Sequence, residues 1–176
     1  MEDEIFPSTR STNYVQTEWA QGWGFAEFGF GEAARILTEQ RPAMRATVDQ
    51  IGLAVFYLQR HRVELLLKQA LIDFFDEPCR TLKAGHDLAE LWHLLKGHVP
   101  DSSNWDTLQR EHGDFVSVMH EADKRSFSYR YPTDKSGLDS QRADFIDLDA
   151  LQRHTERFAD DIHGYLDRLS ESGPAT

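Results

Sequence analysis

The sequence predicts an all-α fold, a single bundle of about five helices, and three observations support this prediction. Apolar residues recur at alternating intervals of three and four along most of the chain, which is the spacing of one helix face. Proline and glycine cluster at a few places and divide the chain into segments of helical length. No segment shows a convincing strand pattern, and 176 residues are enough for one domain with a buried core.

The N-terminal part is predicted to begin with a flexible arm at residues 1–13, followed by the helical bundle at residues 14–171. The first helix is expected within residues 14–40, where aromatic and alanine residues are frequent. Four glycines between residues 22 and 31 weigh against a helix there, because each costs about 1 kcal/mol relative to alanine. The helix is therefore predicted most firmly over residues 31–40.

The second helix is predicted to be long and to form the spine of the bundle. It is expected to begin near Pro42, which is acceptable in a first helical turn, and to reach Asp76 with Gly52 as its internal helix breaker. The pair Glu77-Pro78 is expected to end it. Its predicted apolar face comprises Ile51, Val55, Leu58, Leu65, Leu66, Ala70 and Phe74.

Three further helices complete the predicted bundle. Asp87 is placed as an N-cap with Glu90 three residues later, which is the spacing of a capping box, at the start of a short helix. A longer helix is expected over residues 101–125 and the last over residues 147–170, each with an apolar seam. Residues 133–146 between them are polar and are predicted to form a loop.

The composition limits the classes of function. The 19 Lys and Arg residues against 30 Asp and Glu give a net charge of -11, which opposes non-specific nucleic-acid binding but leaves room for a local basic pocket. The single Cys79 excludes an internal disulfide and fits a reducing compartment. No apolar run reaches the roughly 18 to 20 residues of a membrane span, and the acidic N-terminus does not resemble a secretory signal. We therefore expect a cytoplasmic protein without a membrane partner.

The first candidate site lies in the segment YLQRHRVELLLK of the predicted spine helix. Arg60, His61, Glu64 and Lys68 fall within one stripe about 100° wide, since each residue advances by about 100°. Arg60 and Glu64 are four residues apart, as are Glu64 and Lys68, and this spacing suits ion pairs within a helix. Either the stripe is a solvated ladder of charges, or it lines a polar pocket.

The second candidate is His86, which directly precedes the predicted N-cap Asp87. A histidine in this position can face an anion held at the helix N-terminus, where backbone N–H groups favour negative charge. The alternative is a capping device with an incidental histidine.

The third candidate is Arg130, which lies between two tyrosines in the stretch SFSYRYPTDKSG. The following proline restricts Tyr131 to extended conformations. Such an arginine can stack on aromatic rings or pair with phosphate through two hydrogen bonds. The alternative is a structural ion pair with Asp123 or Asp134.

The sequence predicts no metal site and no cofactor. The eight histidines are scattered, and the chain has no cluster of cysteines. No pair of histidines has the spacing of a zinc-binding helix, and no glycine-rich loop resembles a phosphate cradle.

Four segments, in this order, resemble the HEPN superfamily, named for higher eukaryotes and prokaryotes nucleotide-binding. They are WAQGWGFAEFGFGEAARIL, QRHRVELLLKQAL, GHDLAELWHLL, and the D-x6-R-Y-P motif from Asp123 to Pro132. The resemblance covers about residues 15–170 and implies a bundle of four or five helices that is often dimeric. It also implies one of two activities: binding of a nucleotide or partner, or metal-independent ribonuclease activity in toxin–antitoxin and phage-defence systems.

The ribonuclease signature of the family is an arginine followed after four to six residues by a histidine. Arg130 lies where the resemblance places this arginine, but no histidine follows it within six residues. The bare spacing is met by Arg157 with His163 and by Arg80 with His86. Such an enzyme would use the arginine to hold the phosphate and the histidine to move a proton.

The sequence therefore predicts a HEPN-like, non-catalytic homodimer that binds a nucleotide, nucleic acid or partner protein in a bacterial defence or toxin–antitoxin context. One alternative is a ribonuclease toxin that uses His163 and Arg157. Another is an acidic subunit for a basic partner protein, with the aromatic N-terminal segment as docking surface. The predicted ligand-binding residues are Arg60, His61, Glu64, Lys68, His86 and Arg130.

Overall fold

The computed structural model describes residues 22–43, 45–99, 102–124, 126–131, 133, 136–140 and 145–171. In these ranges the chain is a bundle of six α-helices, which confirms the all-α class. The helices are α1 Trp23–Gln40, α2 Val48–Gln69, α3 Pro78–Ala84, α4 Leu88–His98, α5 Ser102–Ala122 and α6 Leu148–Glu171. The β pairing in the described ranges is an isolated bridge between Thr133 and Asp139. The predicted arm at residues 1–13 lies outside the described residues.

Helix α1 begins at Trp23, eight residues before the segment 31–40 in which it was most firmly predicted. The contacts of its glycines explain why the helix includes them. A Cβ atom on Gly31 would lie 2.5 Å from Nε of Arg62, and one on Gly24 would lie 2.6 Å from Nε2 of Gln69. Both positions face α2, so the absence of a side chain lets the two helices approach closely. Packing of this kind offsets the intrinsic helix cost of glycine, which is about 1 kcal/mol per residue.

Helix α2 is the predicted spine, but it begins at Val48 rather than near Pro42. Residues Arg41–Ala43 form a separate 3-10 turn, and Thr47 caps α2 through a capping box with Gln50. A π-helical turn at Ala70–Phe74 extends the helix at its other end. The predicted apolar face is mostly buried, although Phe74 in that turn is exposed.

Helix α3 was not predicted, because its seven residues carry too little periodic signal. The Glu77-Pro78 pair ends the preceding helix as expected, but Pro78 also occupies the first turn of α3. The N-cap of α4 was predicted correctly, since an Asp87 side-chain oxygen accepts a hydrogen bond of 2.9 Å from the Glu90 backbone N–H. Helix α3 contacts α4 and the π-helical turn at the end of the spine, and α4 packs against α2 and α5.

The core of the bundle lies between α2, α4, α5 and α6. Trp92 of α4 packs against Trp105 of α5, with ring centroids 4.7 Å apart, and against Phe158 of α6 at 5.9 Å. After α5 the chain turns back onto the spine, where Tyr129 stacks on Phe56 with centroids 3.8 Å apart. This stacking fixes the position of the neighbouring Arg130. None of the described helices is long and apolar enough to cross a membrane.

Candidate functional site

The candidate site is centred on Glu64, a carboxylate whose side chain is 1% exposed. Its oxygens accept hydrogen bonds from Arg60 Nη1 at 3.1 Å and from Lys68 Nζ at 2.8 Å. Both partners lie one helical turn away on α2, at the spacing that places side chains on one face. The connection before α4 adds His86, whose Nδ1 lies 2.8 Å from Glu64 Oε1. A carboxylate only accepts hydrogen bonds, so we assign the His86 proton to Nδ1.

Glu64 is held in its charged form by these neighbours. Burial by itself raises the pKa of this carboxyl, but His61, Lys68 and His86 together outweigh it and lower the pKa to about 2. His61 Nδ1 lies 3.9 Å from Glu64 Oε2, which is beyond hydrogen-bond length, so the geometry supports Lys68 and His86, each at 2.8 Å, as the main causes of the lowered pKa of Glu64. The stripe of polar residues on α2 is therefore a buried ion network and not a solvated ladder.

Arg60 is completely buried and joins three parts of the chain. Its Nε donates to the backbone oxygen of Asp123 at 2.9 Å, and its Nη2 donates to the backbone oxygen of His86 at 2.7 Å. Desolvation lowers the pKa of Arg60, while the charges of Glu64 and Asp123 oppose this shift. Arg60 was predicted to bind a ligand, but an external ligand has no access to it. We assign it to positioning the end of α5 and the start of α4.

Lys68 is similarly enclosed, and its side chain is 9% exposed. Its Nζ donates to Glu64 and lies 5.6 Å from the centre of the Trp23 ring of α1. Like Arg60, Lys68 balances the charge of Glu64 from inside the fold. Arg60 and Lys68 thus form the buried part of the site, and other side chains form its exposed surface.

His86 is the accessible member of the network, with half of its side chain exposed. The Glu64 carboxylate holds Nδ1, and Arg60 holds the backbone oxygen of the same residue. Nε2 is thus the ring nitrogen left for a partner outside the network. A carboxylate that orients an imidazole in this way prepares it to bind a ligand or to transfer a proton.

Arg130 is exposed, and its guanidinium lies between two tyrosine rings. Its Cζ is 5.4 Å from the centre of the Tyr57 ring and 5.7 Å from that of Tyr131. Among the described residues Arg130 has no ion-pair partner. Asp123, its predicted structural partner, instead accepts hydrogen bonds from the backbone N–H groups of Phe127 and Ser128. Asp134, the other predicted partner, lies outside the described residues.

Aromatic contacts connect Arg130 to the ion network. Tyr57 stacks on His61 with ring centroids 5.7 Å apart, and Phe30 of α1 contacts His61 edge to face, with centroids 4.5 Å apart. Through Tyr57 and His61, Arg130 is thus connected to Glu64, to which Arg60, Lys68 and His86 are bound directly. The six predicted binding residues therefore form one assembly, in which Tyr57 is a member that the sequence prediction missed. Tyr57 precedes His61 by one helical turn, and this spacing could have indicated that the two side chains are neighbours.

The structure does not bring together the two residues of the alternative ribonuclease site. Arg157 of α6 pairs with Glu111 of α5 and lies 3.8 Å from Asp161. His163, six residues later on the same helix, lies 3.8 Å from Glu27 of α1. Because α6 is continuous, the two side chains point toward different neighbouring helices. Any convergence of Arg157 and His163 needs a second chain.

The other pair with the ribonuclease spacing is also separated by its surroundings. Arg80 lines a cavity of about 440 Å³ on the outer side of α3, together with Lys83, Asp87 and Glu90. His86 turns from that cavity toward Glu64.

Metal chemistry has no candidate site in the described ranges, which contain no group of three His, Cys, Asp or Glu residues able to hold an ion. The groups of the assembly that a ligand can reach are an imidazole, a guanidinium and aromatic rings.

No protein-family model, curated protein or solved structure matches this chain.

Proposed function

We propose that this chain is a HEPN-like helical module that binds a phosphate-containing ligand, a nucleotide or a segment of nucleic acid. The ligand would bind at the surface formed by Tyr57, His61, His86, Arg130 and Tyr131, here called the His86–Arg130 surface. The observation that carries the proposal is the contrast between the two arginines. Arg60 is buried with its nitrogens bonded inside the fold, whereas Arg130 is exposed between two rings without an ion-pair partner among the described residues.

The chemistry of this surface suits a nucleotide. A guanidinium forms two parallel hydrogen bonds to a phosphate, and a ring-stacked guanidinium loses little entropy in doing so. Tyr131 is about half exposed and stacks on Phe127 with ring centroids 4.6 Å apart, so the two rings form an aromatic wall beside Arg130 against which a base can pack. His86 adds a second group that donates to an anion when it is protonated.

The local charge also favours an anion. Beneath the surface, the buried cations Arg60 and Lys68 are balanced by the buried carboxylates of Glu64 and Asp123. Arg130 therefore adds a positive charge that no described residue balances, on a protein whose net charge is -11. We therefore expect an anion to bind at this surface in preference to the rest of the protein, whose net negative charge repels it.

The test is binding of a fluorescently labelled RNA oligonucleotide and of labelled ATP to the wild type, Arg130→Gln and Arg153→Gln. Arg153 is an exposed arginine of α6, so its variant controls for the loss of one positive charge. We expect Arg130→Gln to weaken binding about tenfold or more, as for a lost charge-assisted hydrogen bond of about 1.5–3 kcal/mol. Equal binding by the two variants, or no binding by the wild type at high protein concentration, contradicts the proposal.

A metal-independent ribonuclease is the second candidate function, and the Glu64–His86 pair favours it. A histidine oriented by a carboxylate can accept the proton of a ribose hydroxyl, while Arg130 holds the phosphate. The test is cleavage of mixed RNA in excess EDTA by the wild type, His86→Ala, Arg130→Ala and His163→Ala. Cleavage that is lost in the first two variants and retained in the third supports this site. Cleavage lost only in His163→Ala supports the α6 pair, and an inactive wild type supports a binding module.

A further inference from the structure

A cavity of about 720 Å³ lies between α4 and α5, and we call it the α4–α5 cavity. Its lining includes Trp92, His93 and Lys96 of α4 and Trp105, Asp106 and Gln109 of α5. None of the described residues that line it belongs to the His86–Arg130 surface. Its volume falls within the range of about 300–1,000 Å³ that is usual for small-molecule sites. The bundle therefore offers a second place at which a ligand can bind.

Two tryptophans form the floor of the α4–α5 cavity. The rings of Trp92 and Trp105 pack with centroids 4.7 Å apart, and both residues are 7% exposed. Trp92 Nε1 donates a hydrogen bond of 2.9 Å to Oε1 of Gln109, so the indole needs no other acceptor. Gly113 leaves room for this amide, since a Cβ atom at that position would overlap the Gln109 side chain. The two rings thus present a fixed apolar surface to the cavity.

Opposite charges stand on the two walls beside this floor. Lys96 of α4 and Asp106 of α5 are both exposed and both line the cavity. Neither forms an ion pair with another residue in the described ranges, and the two do not pair with each other. By contrast, Glu111 of α5 is paired with Arg157 of α6. A cation and an anion that line one cavity are therefore both available to a ligand.

We propose that the α4–α5 cavity binds a free aromatic amino acid in its zwitterionic form. The carboxylate of the ligand accepts hydrogen bonds from Lys96 and His93, and its ammonium group donates to Asp106. Its ring packs on Trp92 and Trp105, since aromatic rings make favourable offset and edge contacts with one another. A zwitterion suits this site because it carries both charges in one small molecule, and so satisfies an acid and a base that do not satisfy each other.

The same charges distinguish this ligand from the one proposed for the His86–Arg130 surface. A phosphate group beside Lys96 would also face the carboxylate of Asp106, and like charges placed close together oppose binding. We therefore expect Lys96→Gln to leave binding of labelled RNA and ATP unchanged, and Arg130→Gln to leave binding of the amino acid unchanged. Failure at one of the two sites is thus distinguishable from failure at the other.

The first test is calorimetric titration of the full chain with L-phenylalanine and two matched analogues. Phenethylamine lacks the carboxylate, and hydrocinnamate lacks the ammonium group. We expect the amino acid to bind at least about tenfold more tightly than either analogue, as for the loss of one charge-assisted hydrogen bond. An analogue that binds as tightly as L-phenylalanine contradicts recognition of a zwitterion. Absence of binding at about 1 mM L-phenylalanine, the weak end of ordinary substrate affinities, overturns the proposal.

The second test assigns each charge of the ligand to a residue. Lys96→Gln is expected to weaken binding of L-phenylalanine about tenfold and to leave that of phenethylamine unchanged, because this analogue has no carboxylate. Asp106→Asn is expected to weaken binding of L-phenylalanine similarly and to leave that of hydrocinnamate unchanged. Lys83→Gln and Asp114→Asn, at exposed positions outside the lining, are the matched controls. Equal affinities of the cavity variants and their controls would contradict the assignment.

The third test locates the ligand by NMR through the indole N–H signals. Addition of L-phenylalanine is expected to shift the signals of Trp92 and Trp105 and to leave that of Trp23 in α1 in place. A ligand that shifts the Trp23 signal alone binds elsewhere, and this result overturns the placement in the α4–α5 cavity.

Discussion

His86 Nδ1 lies 2.8 Å from Glu64 Oε1, and this contact joins an exposed imidazole to a fully buried carboxylate. The same carboxylate neutralises Arg60 and Lys68, so it has a structural and a positioning role at once. A variant at Glu64 is therefore expected to change both the stability of the bundle and the orientation of His86.

Glu64→Leu is expected to destabilise the fold by about 3–5 kcal/mol. The substitution leaves two buried cations without their counter-ion, and breaking one side of a buried pair has a cost of this size. Urea unfolding of the wild type and the variant measures the difference. Glu32→Leu serves as the control, because Glu32 pairs with Arg35 at the surface, where solvent screens the pair and its contribution to stability is small. If the two variants lost equal free energy of unfolding, the buried network around Glu64 would not contribute the expected stability.

Stability is expected to fall as the pH falls from about 4.5 toward 2. The pKa of Glu64 is lowered in the fold from 4.5 to about 2, so its charged form stabilises the fold above the unfolded pKa. This contribution is lost as protons bind between the two values, and amounts to roughly 3 kcal/mol. The measurement is the free energy of unfolding as a function of pH. Glu64→Gln should lose less stability over this window, whereas identical slopes would contradict the assignment.

Arg60→Lys is expected to loosen the start of α4 although it keeps the charge. Lysine cannot reach Glu64 and the backbone oxygens of Asp123 and His86 together, as the planar guanidinium does. We expect faster hydrogen exchange at residues 85–88 and a loss of about 2–3 kcal/mol of stability. Arg153→Lys, an exposed change of the same type, should leave both unaltered. Unchanged exchange at residues 85–88 would argue against the positioning role.

Gly31→Ala and Gly29→Ala are expected to have opposite effects although they lie two residues apart on α1. Alanine at position 29 meets open space and should stabilise the helix by up to about 1 kcal/mol. At position 31 the added carbon would displace Arg62, which pairs with the buried Glu27 at 2.6 Å. We expect the melting temperature of Gly31→Ala to lie several degrees below that of Gly29→Ala. The reverse order would show that Arg62 can move without cost.

Sequence periodicity was sufficient to predict the main helices, because it is a local property. The recurrence of apolar residues located α2, α5 and α6, and the Asp87 cap located the start of α4. Helix α3 has too few residues to show a period. The part of α1 before residue 31 was predicted less firmly because glycine propensity is also local, whereas the gain from glycine at Gly24 and Gly31 comes from a contact with another helix.

The sequence by itself determined that Arg60, His61, Glu64 and Lys68 share one face of a helix, since that follows from their spacing alone. The tertiary structure decided that this face is buried, because the start of α4 and the segment after α5 cover it. It also decided which of the two arginines is available to a ligand. Burial depends on chain segments that are distant in sequence, so a helical spacing cannot distinguish Arg60, enclosed by backbone oxygens, from Arg130, held at the surface by two rings.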